Sequence, residues 1–194
     1  MEGDHGTRHD PDDDYGQLDR QGGPMVVRFR RHLLHRPAEV WDALSQPEKL
    51  EAWFPTTIEG QHQAGAPLRF SFRDMEAPAF DGEMLSWAPP TLMELRWGED
   101  RLRFGLDPED TGTVLVLTVT FSEIGKVARD SAGWHACLDR LVWALDGRSA
   151  PWSSSDRWRE VRHTYIERFG PEASSIGPPE EWERAHGSGT APVT

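Results

Sequence analysis

His135 and Cys137 stand two residues apart in DSAGWHACLDRLVWALDG (130–147), the first stretch where the residue types could do chemistry. A neutral imidazole can act as a general base, and a thiolate is a nucleophile. At about 100° per residue, however, Cys137 shares one face with Trp134, Leu138, Leu141 and Leu145, which reads as a buried structural thiol. His135 falls roughly 100° off that stripe, at a helix edge near the mouth of any cavity beneath it. Arg31 is the third candidate. In MVVRFRRHLL (25–34), Val27, Phe29 and Leu33 alternate with Arg28, Arg30 and His32, and Arg31 falls on the apolar side. Burying a lone guanidinium costs several kcal/mol. Arg31 therefore requires an internal carboxylate, with Asp81 and Glu83 the candidates by position, or an acidic ligand head group. The alternative is an arginine that snorkels past the strand edge.

The sequence holds no HExxH, GxSxG, CxxC, P-loop or GxGxxG, so no catalytic residue, cofactor or metal is assigned. Asp10, Asp12 and Asp14 are spaced like a calcium loop, but Tyr15 stands where the sharp turn needs Gly and Gln21 where the last ligand needs Glu. A formal charge of −12 repels phosphate backbones, which argues against a nucleic-acid partner. With no apolar run long enough for a membrane span, no leader and a single cysteine, the expected location is the cytoplasm. Nine Trp in 194 residues imply large flat surfaces to be packed, in a core or against a ligand.

The elements that must position these side chains follow from periodicity. Residues 1–24 are acidic and poor in apolar groups, which predicts a disordered tail. After the strand at 25–34, Pro37 and Glu39 open a short helix carrying Val40, Trp41 and Leu44. Ser45 and Glu48 then form a capping box for a second, which ends at Trp53, Phe54 and Pro55. From Thr56 to Ser122, six strand-like runs are separated by Gly-, Pro- and Asp-rich turns, an antiparallel meander with one apolar and one charged face. That face covers the amphipathic helix at 130–147, which Asp130 or Ser131 can cap. A further helical stripe of Trp158, Val161, Tyr165 and Phe169 is expected to cover Trp143 together with Trp152. The tail from Pro171 reads as flexible, with no role assigned to Trp182.

This order and its wording resemble the helix-grip, START-like (SRPBCC) superfamily, and within it bacterial proteins similar to the C-terminal domain of the Hsp90 ATPase activator. The likeness is carried by Phe29-Arg30-Arg31, by Pro37 to Leu44 (PAEVWDAL), by Pro47-Glu48-Lys49-Leu50 with Trp53-Phe54, and by Gly82 before Met84. It continues through Pro89-Pro90 with Leu95 and Trp97, then Gly112 to Leu115, and ends at Gly133-Trp134 with Leu138 and Leu141. It spans roughly residues 25–147. The resemblance implies an α+β fold: a curled antiparallel sheet of about seven strands around a long C-terminal helix, with two short helices after the first strand and an extra C-terminal helix at 148–170. It further implies a cavity between sheet and long helix that takes lipid- or polyketide-like molecules, and in fewer relatives cyclase or hydrolytic chemistry. Where many relatives carry a His after the strand at 113–121, this chain reads TVTFSEIGK. Co-chaperone activity in the eukaryotic proteins depends on a separate N-terminal domain, in whose place this chain has the acidic tail.

The expected function is binding of a small hydrophobic or aromatic ligand. Trp53, Phe54, Phe70, Phe72, Met84, Trp97, Leu117, Trp134, Cys137, Leu138 and Leu141 would line the cavity, with Arg31 meeting a polar end. The loops DMEAPAFDG and EIGKVARDSAGW would form its mouth. A cyclase/aromatase-type enzyme and a chaperone-associated protein partner are the alternatives, and the sequence leaves the oligomeric state open.

Overall fold

A computed structural model describes residues 11–20, 23–73 and 77–178. The expectations for Asp10, Gln21, Trp182 and part of the DMEAPAFDG loop lie outside the described residues. An eight-stranded, wholly antiparallel, unclosed sheet runs in the order β1-β2-β8-β7-β6-β5-β4-β3. Its strands are β1 (Gln17–Asp19), β2 (Met25–Leu33), β3 (Thr56–Gly60), β4 (Pro67–Phe72), β5 (Phe80–Ala88), β6 (Leu92–Trp97), β7 (Asp100–Glu109) and β8 (Gly112–Phe121). Seven match the sequence reading. The eighth, β1, comes from the stretch read as disordered tail and pairs with β2 through Leu18 and Val27.

Alternation sets the inner face. The register aligns Phe29 with Leu117, Phe104 and Met93 in one row, and Val27 with Val119, Leu102, Leu95 and Met84 in the next. All nine are buried. Gly82 in β5 is required by close approach, because a Cβ there would collide with the Arg96 carbonyl and the Phe70 ring.

The sheet wraps around α3 (Val127–Leu145), which starts after a 3-10 turn at Ile124–Lys126 rather than at Asp130. EIGKVARDSAGW is therefore mostly helix, not a mouth loop. The short helices α1 (Pro37–Ser45) and α2 (Pro47–Leu50) close one end. Glu39 accepts a hydrogen bond from the Arg36 amide at 2.9 Å, but Ser45 does not cap α2: its hydroxyl donates to the Trp41 carbonyl at 2.7 Å. Trp53 locks the pair by donating its indole N–H to the Ala43 carbonyl at 2.9 Å. Helices this short draw their stability from such tertiary contacts.

The last helix, α4 (Ser154–Phe169), is capped by Ser153, which accepts from the Asp156 amide. Its stripe buries Val161, Tyr165 and Phe169 as expected. The partner differs, however: Tyr165 meets Phe29 of β2, Tyr15 and His135, while Trp143 is stacked by Arg148 at 4.2 Å. Among the described residues no helix is long and apolar enough to cross a membrane.

Candidate functional site

The three residues that opened the sequence reading end up in two different places. Arg31 points inward and is nearly sealed, and its partners are Asp139 of α3 at 3.0 Å and the Asp14 carbonyl at 2.6 Å. Asp81 and Glu83 do not reach it; they pair across the outer sheet face with Arg69 at 2.9 Å and Arg96 at 3.8 Å. Asp139 also accepts from Arg157 of α4 at 2.7 Å and lies 3.3 Å from His135 Nε2. His135 is fully buried, not at a cavity mouth. Its Nδ1 sits 2.9 Å from the Tyr165 hydroxyl, which accepts from the Gly16 amide at 2.9 Å. The Tyr165 O–H can donate to Nδ1, while Nε2 faces both the Asp139 carboxylate, which takes an Nε2–H, and the Arg157 guanidinium at 3.3 Å, which needs a bare Nε2.

The titration behaviour follows from this enclosure. Burial lowers the His135 pKa and outweighs the pull of Asp139. Burial would raise Asp139, but its bond to His135 and the Arg31 and Arg157 charges hold it well below the usual carboxylate range. Burial pushes Tyr165 up. These directions describe a neutral imidazole and an ionised carboxylate fixed in a closed knot of structural hydrogen bonds.

The open site lies on the other side of α3. A groove of about 1060 Å³ runs between α3 and the strand ends of β4, β5 and β6, and continues to the N-terminus of α4. That exceeds the roughly 300–1,000 Å³ common for small-molecule sites, although this one is open along a side. One helical stripe forms its floor: Lys126, Arg129, Gly133, Cys137, Arg140 and Ala144. Aromatic rings form its wall. Trp97 is their hub, with ring centroids 4.7 Å from Phe70, 4.8 Å from Phe80, 5.4 Å from Phe54 and 5.5 Å from Trp134.

Five of the twelve residues proposed from sequence border this groove: Trp53, Phe72, Trp97, Trp134 and Cys137. Phe54, Phe70, Met84, Leu117, Leu138 and Leu141 lie behind it as filled core, each at most 3% exposed, and Arg31 lies in the polar knot. The space is therefore beside the sheet–helix core, not inside it. Large facing side chains close the interior to ordinary packing density. Sequence reading missed Phe80, Trp152 and Trp158, which also line the groove. Phe80 carried a legible signal, an aromatic at the start of a strand. The placement of Trp152 and Trp158 depends on where the polypeptide returns after α3.

Gly133 is the least expected groove residue. It sits inside a 19-residue helix, where Gly is about 1 kcal/mol less favourable than Ala, yet a Cβ there would meet nothing within 4 Å. Its only visible effect is to leave the floor open. Cys137 is partly exposed in the groove, but burial of its sulfur pushes the thiol up to about 12 despite the nearby Arg140 charge. It is a poor nucleophile. Asp130 is held by Arg129 at 2.6 Å, and burial raises its carboxyl.

The unclosed sheet gripping one long helix defines the class, a START-like helix-grip domain. Residues 35–146, more than half of the chain, match the family described as Activator of Hsp90 ATPase homolog 1-like protein, and the chain belongs to that family. Among solved structures it is similar to the conserved protein of unknown function EF2215 from Enterococcus faecalis, with a TM-score of 0.66 and 19% identity, covering 79% of this chain and 89% of that one. It is also similar to CalU16 from Micromonospora echinospora, with a TM-score of 0.62 and 19% identity over 80% of this chain and 94% of that one. A protein encoded by gene BPP1335 from Bordetella parapertussis aligns with a TM-score of 0.61 and 25% identity over 79% and 90%. No curated protein matches the sequence.

Proposed function

We propose that this chain binds a small hydrophobic or aromatic ligand in the groove between α3 and the ends of β4–β6. The observation that carries the reading is the partly exposed aromatic wall of Phe72, Phe80 and Trp97 facing a floor that Gly133 leaves open. Membership of a family built on the ligand-binding helix-grip fold supports it. Exposed rings of this size lose water contact favourably when a flat or apolar body covers them. The ligand-lining role belongs to Phe72, Trp97, Trp134 and Cys137, joined by Phe80; Trp53, buried behind the wall, and the other sequence candidates hold these in place.

Native mass spectrometry of freshly purified protein, followed by tryptophan quenching with fatty acids, sterols and flavonoids, tests the reading. Saturable quenching is expected. Gly133→Phe is the matching variant, because a Cβ there meets nothing within 4 Å and a side chain built on it extends over the groove floor. It should raise the Kd by about tenfold or more by occupying the apolar contact area, with stability changed by less than about 1 kcal/mol. If no ligand quenches, or if Gly133→Phe binds as well as the parent, the groove is not the binding site.

A further inference from the structure

The groove has two ends of different charge. At one end Lys126 is neutralised by Asp100 at 2.7 Å, and Arg129 by Asp130. Glu99 and Glu123 add further negative charge there. At the other end stand Arg140 and Arg148. Among the described residues, neither pairs with a carboxylate. Arg140 donates to the Ser154 hydroxyl at 2.6 Å, and Arg148 lies over the Trp143 ring. The carboxylates nearest in sequence are engaged elsewhere. Asp139 is held by Arg31 and Arg157 behind the helix, Asp146 faces His35 at 3.6 Å, and Asp156 pairs with Arg159 at 3.1 Å. Two cations without anionic partners therefore border one end of an aromatic trough in a chain whose formal charge is −12.

We infer that the ligand is an amphipathic carboxylic acid, its apolar body against the aromatic wall and its carboxylate against Arg140 and Arg148. A guanidinium presents paired N–H donors matched to the two oxygens of a carboxylate. The serine hydroxyl is a neutral partner that an anion can supplement or displace. Arg140 lines the groove beside Cys137. The role the sequence offered to Arg31, meeting an acidic head group, passes to these residues because Arg31 is already satisfied by Asp139. The overall negative charge disfavours long-range attraction of an acid, so recognition is short-range.

This inference rests on the groove being the binding site, and a matched pair of probes separates the two claims. Naphthoate and naphthamide share an apolar body and differ in charge. In the parent protein the carboxylate should bind about tenfold more tightly than the amide, as for a charge-assisted pair open to solvent, and added salt should weaken only the carboxylate. Arg140→Gln should shrink the ratio toward one, with naphthoate losing more affinity than naphthamide; Arg140→Lys should restore part of it. Arg148→Gln should act in the same direction. Equal binding of both probes by the parent, or an unchanged ratio in both Gln variants, overturns the head-group assignment and leaves groove binding intact. If neither probe binds and Gly133→Phe changes nothing, the groove reading itself falls, and this inference with it.

Discussion

The two long sides of α3 are built from opposite materials. One side presents His135 and Asp139, the residues a chemist would first suspect, and both are locked against Arg31, Arg157 and Tyr165 with little contact with solvent. The other presents the small residues Gly133, Cys137 and Ala144 between Arg129 and Arg140, and it faces a groove of about 1060 Å³. The comparison teaches that titratable side chains here hold the fold together, while small ones leave room for a guest. A buried ion pair is tolerated when hydrogen bonds surround it, and here both terminal nitrogens of Arg31 are bonded while its Nε is left without a partner. A binding floor instead requires side chains to stop short.

The difference can be broken most directly at Asp139. Asp139→Ala leaves Arg31, whose side chain is 4% exposed, without its carboxylate partner on α3, and should cost about 3–5 kcal/mol. Urea midpoints measure this; a loss below about 1 kcal/mol would mean the knot is not sealed in solution. Acid should act on the same region more gently. Because the folded pKa of His135 lies below its unfolded value near 6.5, the unfolded state binds more protons between the two values. Stability from this group is thus fully present above about pH 6.5 and is lost as pH falls from there toward the folded pKa. Asp139 adds its own loss at lower pH, below the ordinary carboxylate value near 4, because its folded pKa is depressed. NMR titration of the His135 ring checks the sign: a midpoint above 6.5 would contradict the burial argument. The smallest effect belongs to the open side. Gly133→Ala should raise stability by about 0.5–1 kcal/mol and leave ligand affinity nearly unchanged, since one methyl enters open space. A destabilised Gly133→Ala protein would show that the backbone there needs glycine, and the contrast between the two sides would lose its sharpest example.

Much of this architecture is legible in local pattern. The alternation of Leu68 and Phe70, the run Leu102, Phe104 and Leu106, and the prolines at 37 and 47 announce seven strands and two short helices, because a pleat and a first helical turn impose their own spacing. β1 escaped notice for a physical reason: three residues with one apolar side chain carry no period, and their strand exists only because β2 offers an edge and Tyr165 accepts from Gly16. The candidate site was half legible. Aromatic residue type marked Trp53, Phe72, Trp97 and Trp134, but whether a ring faces a void or a neighbour is not a property of its own segment.

The sequence by itself determined the helix-grip order, the inward side of each strand and the Trp134, Leu138 and Leu141 core of the buried stripe of α3, since all are set by backbone periodicity acting over a few residues. Only the tertiary structure decided that Arg31 meets Asp139, 108 positions away, and that His135 closes onto Tyr165. It also decided that the open volume lies beside the core instead of within it. Those outcomes depend on how the curled sheet and two helices share three-dimensional space, and packing against distant partners leaves no periodic mark in the chain.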